Sequence, residues 1–240
     1  QLFDPLGILY AASSINQLRV HMGYHYPRSS ETINEILECH KSFAKEYSKS
    51  FVKNTENYYA IPKKDSKVTP AQYEKIYEQF NLSLKDVKPE WINFNFIEKA
   101  YQVNEQIYDP NILRTLLTEK IKNKNILFEE KKFTKNMEKD FDFIIYATYG
   151  FQGSHMKLFK SAQLQIAEKI LIEVPEKLQN KSLVVVDGPF TAFDPYGNSK
   201  FSQFGSAKHT NHWKSKNINE NFPEKYLPFL NKREFQKVPF

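Results

Sequence analysis

Cysteine is almost missing from this chain: Cys39 stands alone. No internal disulfide can form, and no thiolate cluster is available to hold zinc. Arginine is scarce, with Arg19, Arg28, Arg114 and Arg233 set against thirty lysines in a chain of formal net charge +6. Phosphate and base recognition lean on guanidinium forks or ordered basic stripes. Here the lysine-rich stretch 120–139 is interrupted by Glu129, Glu130 and Glu138. The basic balance therefore reads as a solvated surface, and no nucleic acid partner is expected. No apolar run approaches the roughly 20 residues that cross a bilayer, so no membrane span is expected and a cytoplasmic location is the default. The seven glycines are Gly7, Gly23, Gly150, Gly153, Gly188, Gly197 and Gly205, and no three fall in G-x-G-x-x-G spacing. This chain does not itself contain a dinucleotide pyrophosphate cradle. Walker, H-E-x-x-H, G-x-S-x-G and kinase signatures are missing as well. His209 and His212 stand three apart without a third ligand nearby, so no metal site is expected.

What is present is a chain of 240 residues with 40% hydrophobic, 15% aromatic and 26% charged content, enough for a real core in one large domain or two interleaved small ones. Residue 1 is Gln, no signal-peptide pattern follows it, and 235–240 reads as a strand cut in mid-course, so the expectation is a fragment or processed product. Leu2-Phe3-Asp4 reads as the tail of a strand that ends on a carboxylate. A long amphipathic helix over 31–53, capped by Ser29 or Ser30, is predicted from Ile33, Ile36, Leu37, Phe43, Ala44, Tyr47 and Phe51. Tyr58-Tyr59-Ala60-Ile61 predicts a strand closed by Pro62. Thr69-Pro70 and Asp109-Pro110 both pair a cap with an N1 proline and announce helices. Strands are predicted over 100–107, 126–128 and 141–147. The last, with Phe143, Ile144, Ile145 and Tyr146 in a row, has the continuous apolar character of a parallel strand buried on both faces. Alternating stretches at 163–174, 183–187 and 200–207, broken by Pro175, Gly188-Pro189 and Pro195-Tyr196-Gly197, predict an antiparallel sheet.

Residues 11–30 show neither helical nor strand periodicity, yet they are dense in functional groups: Ser13, Ser14, Asn16, Gln17, Arg19, His21, Tyr24, His25, Tyr26 and Arg28. An irregular stretch of this length is uncommon in a compact domain unless it builds a site. Arg19 offers a fixed cationic fork for a carboxylate. His21 and His25, four apart in a loop, can take a proton. The alternative is that these histidines and Arg28 hydrogen-bond the loop together.

The segment Asn16-Gln17-Leu18-Arg19-Val20-His21-Met22-Gly23-Tyr24-His25-Tyr26-Pro27-Arg28-Ser29 resembles the corresponding stretch of FAD-dependent oxidoreductases related to the D-amino-acid and glycine oxidases. Three further stretches agree with it: 105–113, which enters a helix through Asp109-Pro110; 142–150, a strand ending in Ala147-Thr148-Tyr149-Gly150; and 187–197. The resemblance covers most of residues 1–205, and this chain resembles the middle of such an enzyme, without its first strand, glycine loop and C-terminal end. It implies an α/β (α+β) fold, with a truncated Rossmann-like FAD-binding domain over 1–57 and 100–160. A substrate or cap domain with an antiparallel sheet would occupy 58–99 and 161–240. It implies FAD as cofactor and oxidation of a C–N or C–O bond of a small polar metabolite, such as an amino acid or an amino or hydroxy sugar, with hydride passed to the flavin. Asp4 would bind ribose; Ser13, Ser14, Asn16 and Gln17 would lie along the phosphates or flavin; Ala147, Thr148 and Gly150 would meet the cofactor from the returning strand. Arg19, His21 and His25 would be the catalytic residues. The alternative is a binding or scaffolding protein that keeps this fold without its cofactor. Oligomeric state is not readable.

Overall fold

The computed structural model describes residues 1–148, 163–217 and 220–227. The chain divides into two compact units, one of 1–12, 117–167 and 211–240, the other of 13–116 and 168–210. These limits differ from 1–57/100–160 and 58–99/161–240, because the strands at 56–62, 97–103 and 181–185 hydrogen-bond as one sheet.

That sheet is the centre of the unit formed by 13–116 and 168–210. It has seven strands: β3 (Glu56–Pro62), β4 (Lys85–Asp86), β5 (Ile97–Val103), β9 (Ile170–Glu173), β10 (Lys181–Val185), β11 (Thr191–Pro195) and β12 (Phe201–Ser206). Their order is β4-β5-β3-β10-β11-β12-β9. Only β3 and β10 run parallel, with Lys181 opposite Glu56 and Val185 opposite Ala60; the other neighbours are antiparallel. Helix α1 (Ser30–Tyr47) starts where Ser29 caps the amide of Thr32. The helix stops short of residue 53, because a 3-10 turn at 48–50 releases Phe51 and Val52 into extended chain, where the Val52 amide bonds to Ile107. Helix α2 (Pro70–Gln79) opens on a full capping box between Thr69 and Gln72 with proline at its first turn.

The core on one face of the sheet is rich in tyrosine: Tyr24, Tyr59, Tyr73, Tyr77 and Tyr101 are buried with Ile33, Ile61, Val184 and Val186. A buried phenol needs a partner. Tyr59 donates to Glu105 at 2.8 Å and Tyr101 to Glu74 at 2.9 Å, while Tyr24 donates to the Ser83 carbonyl.

The other unit carries two two-stranded sheets. β1 (Leu2–Phe3) pairs in parallel with β7 (Phe128–Glu129), and β8 (Leu164–Ala167) pairs antiparallel with β13 (Asn211–Ser215). Phe3, Phe133 and Phe141 pack ring against ring at 5.2–5.9 Å, Phe3 and Phe141 edge to face, and Tyr146 joins Phe133. The strand predicted at 141–147 does not form: 143–148 has no regular structure, and Phe143 and Ile145 are 94% and 92% exposed. A parallel strand buried on both faces needs neighbours to bond its backbone, and among the described residues β1 and β7 bond only to each other. Residues 100–107 likewise split into β5 and the short β6 (Gln106–Ile107), which pairs with β2 (Arg19–Val20). Helix α3 (Pro110–Asn123) follows, its first amides at Asn111 and Ile112 accepted by Asp109 Oδ1 at 2.8 and 3.1 Å.

Candidate active-site cleft

The irregular segment 13–29 is held from below by phenols. Tyr73 donates to the carbonyl of Tyr24 at 2.8 Å, and Tyr77 to the carbonyl of Gly23 at 3.1 Å. Gly23 has φ +103°, and a Cβ there would come within 3.0 Å of Ile33 Cγ2, so only glycine lets the segment close on α1. Satisfying its backbone through tyrosines is what allows a loop to lie on a core.

Arg19 lies inside that core with no exposed side-chain surface. Its guanidinium donates to Glu105 Oε2 at 2.6 Å, to Asp194 Oδ1 at 2.8 Å and to Tyr59 Oη at 3.2 Å, and also reaches Ser182 Oγ. It sits 4.9 Å from the centre of the Tyr59 ring. Burial works against both charges here. For Glu105 that upward push is outweighed by His21 and Arg19, which hold its carboxyl at about 2. For Arg19 the surrounding Tyr59, Asp194 and Glu105 keep the cation charged well above its ordinary range. The expectation that Arg19 presents a free fork to a substrate is therefore corrected: its donors are consumed by β10, β11 and the residues before β6.

His21 places Nδ1 3.6 Å from Glu105 Oε1, and its ring meets that of His25 at 5.7 Å. His25 is half-buried against Tyr26 and Tyr59, with ring separations of 5.3 and 6.3 Å. Burial first, then the proximity of His21 and Arg19, drops its pKa to about 4, so the ring is neutral at physiological pH. Its buried Nδ1 has no hydrogen-bond partner among the described residues. His25 lines a cleft of about 430 Å³ whose floor is the end of β10 with β11 and β12, through Val184, Val186 and Ala192. Arg28 at the rim is ion-paired with Asp187.

Of the remaining candidates, one reaches the cleft and the others lie elsewhere. Gln17 also lines the cleft, and its amide nitrogen donates to Asp194 Oδ2 at 3.2 Å. Asn16 Oδ1 accepts from the Leu18 amide and from the Tyr108 hydroxyl, and Ser13 offers its carbonyl to that same hydroxyl. Ser13 is exposed and Ser14 is buried. Asp4, in the other unit, sits just after β1 as the sequence led one to expect, with Oδ1 accepting from the Leu6 amide. Ala147 and Thr148 are exposed in irregular chain, and Gly150 lies outside the described residues. Among the described residues no group of three His, Cys, Asp or Glu is placed to hold a metal.

Sequence reasoning missed Glu105, Asp194 and Ser182, the partners that bury Arg19. It also missed Lys169, which lines the cleft just before β9. Glu105 carried a signal, an acid two residues past an apolar strand; Asp194 and Lys169 carried none, because only the sheet pairing brings them here.

The fold is similar to that of glycine oxidase from Geobacillus kaustophilus, which superposes with a TM-score of 0.59, covering 95% of this chain and 68% of that one at 10% identity. In sequence the chain is 24% identical over 212 residues to the FAD-dependent monooxygenase FPY4 of Fusarium mangiferae, a match that covers 85% of this chain and 56% of that protein. The chain thus spans little more than half the length of this curated relative. No family model matches it.

Proposed function

We propose that this chain is the sheet-bearing part of an FAD-dependent oxidoreductase that oxidises a C–N or C–O bond of a small polar metabolite, with the cleft beside His25 as its substrate site. The observation that carries the reading is the neutral, half-buried His25, which lines the cleft and whose buried Nδ1 has no partner among the described residues, on a fold similar to that of glycine oxidase. A buried polar atom without a partner beside a concave site calls for a ligand or water to satisfy it.

The residues suit a flavin in part. Asp4 keeps Oδ2 available beyond the strand end, where an acid serves a ribose hydroxyl. Gln17, His25, Ser29 and Thr191 give the cleft a polar rim over an apolar floor. When bound, the flavin would supply the two-electron acceptor. His25 accepts a hydrogen bond from the substrate N–H or O–H and fixes the direction of the bond to be oxidised. At a pKa near 4 it orients that group and does not strip its proton in the resting site. The network of Arg19, Glu105, Asp194 and Ser182 clamps His21 and Gln17, and so holds the wall from which His25 projects.

The test is the flavin content and turnover of the protein expressed from its full coding sequence, wild type and His25→Gln. Flavin in both, with turnover lowered about tenfold or more in the variant, is the expected result. Flavin-free wild-type protein favours the cofactor-free binding reading, and unchanged turnover removes His25 from the site.

A further inference from the structure

Lys169 is the cation of the cleft that has no counter-ion among the described residues. Three formally charged side chains line the cleft: Arg28, Asp187 and Lys169. Arg28 and Asp187 neutralise each other, and His25 is uncharged. Lys169 makes no ion pair among the described residues. Its arm crosses β12 at Gly205, where a Cβ would lie 2.8 Å from Nζ and 3.2 Å from Cδ, with Thr210 Cγ2 at 3.1 Å on the other side. Glycine at 205 is thus what leaves room for the arm against the sheet. Val184, Val186, Ala192 and Phe190 give the same cleft apolar lining.

We infer that Lys169 is a specificity-determining residue of this cleft, which takes a ligand carrying a single anionic group, a carboxylate, on a short apolar body. The inference rests on the cleft being the ligand site proposed above. A lone ammonium over apolar walls favours one negative charge by a charge-assisted hydrogen bond that a neutral group of the same shape cannot match. A second anionic group would find no further unpaired cation among the described lining residues, since Arg28 is held by Asp187.

The experiment measures calorimetric affinity of the full-length protein for 4-methylpentanoate, for its neutral isostere 4-methylpentanamide and for inorganic phosphate. The proteins compared are wild type, Lys169→Met, Lys169→Arg and Gly205→Ala. Wild type is expected to bind the acid about tenfold or more tightly than the amide. Lys169→Met abolishes that preference while keeping amide affinity, Lys169→Arg keeps the preference, and Gly205→Ala weakens it by displacing the ammonium without removing charge. Equal affinity for acid and amide, no binding of the acid, a preference that survives Lys169→Met, or Lys169-dependent binding of phosphate but not of the acid each overturns the inference. Visible flavin absorbance is recorded on the same samples. A colourless protein with a Lys169-dependent acid preference would sink the oxidoreductase reading and leave the anion site standing.

Discussion

Replacing Arg19 by methionine keeps most of the side-chain volume and removes the guanidinium that Glu105 and Asp194 share in the core. Two carboxylates then lose that counter-ion, and breaking a buried ion pair from one side costs about 3–5 kcal/mol. The contact of the guanidinium with the Tyr59 ring adds to the loss. With a urea slope of roughly 2–3 kcal/mol/M for a chain of this size, the unfolding midpoint should fall by about 1–2.5 M. The deficit should also depend on pH. In the wild type Glu105 is held at about 2 against an ordinary value of 4.5, so its contribution is complete above 4.5 and is lost as pH falls towards 2. Without Arg19 the burial of Glu105 wins and its carboxyl takes up a proton more readily. The gap between variant and wild type is therefore widest at neutral pH and narrows in acid. Urea titrations followed by tyrosine fluorescence at several pH values measure both. A loss under about 1 kcal/mol that ignores pH would refute the buried network. Unchanged stability with abolished ligand binding would restore Arg19 as a substrate fork.

The depressed pKa of His25 predicts its own linkage. The unfolded chain takes up a proton near 6.5 and the folded one only near 4, so stability should decline across that window as pH falls. The change is about 2–3 kcal/mol, allowing for a half-solvated ring. His25→Gln should flatten the slope between these limits in a urea series, and an unaltered slope would contradict the assignment. Gly23→Ala, at φ +103° and 3.0 Å from Ile33 Cγ2, should cost about 1–3 kcal/mol in the same assay, whereas a neutral outcome would mean that the segment does not close on α1.

Where a local rule decides, the sequence was readable. Thr69-Pro70 and Asp109-Pro110 open α2 and α3 because capping chemistry acts within one turn, and Tyr58–Ile61 forms β3 because its apolar residues have sheet partners on both sides. Phe143 to Tyr146 carried the same apolar signal and form no strand, since pattern does not reveal whether neighbours are there to bond. β11 and β13 went unread: Thr191–Pro195 is short and ends on a proline, and Asn211–Ser215 has little apolar alternation, so partner strands define both. The site divides the same way. The functional density of 13–29 marked the right segment, and His25 and Gln17 do reach the cleft. Whether Arg19 faces a ligand or the core depended on Asp194 and Ser182, more than 160 residues away, and only the β10–β11 pairing brings those two beneath it.

The central claim is that this fold serves a flavin, and its most direct test is the flavin content of protein made from the full coding sequence, read by visible absorption and by the chromophore released on denaturation. The account predicts stoichiometric FAD that a small anionic substrate reduces in the absence of oxygen. A folded, colourless protein that gains no flavin when FAD is supplied would contradict it.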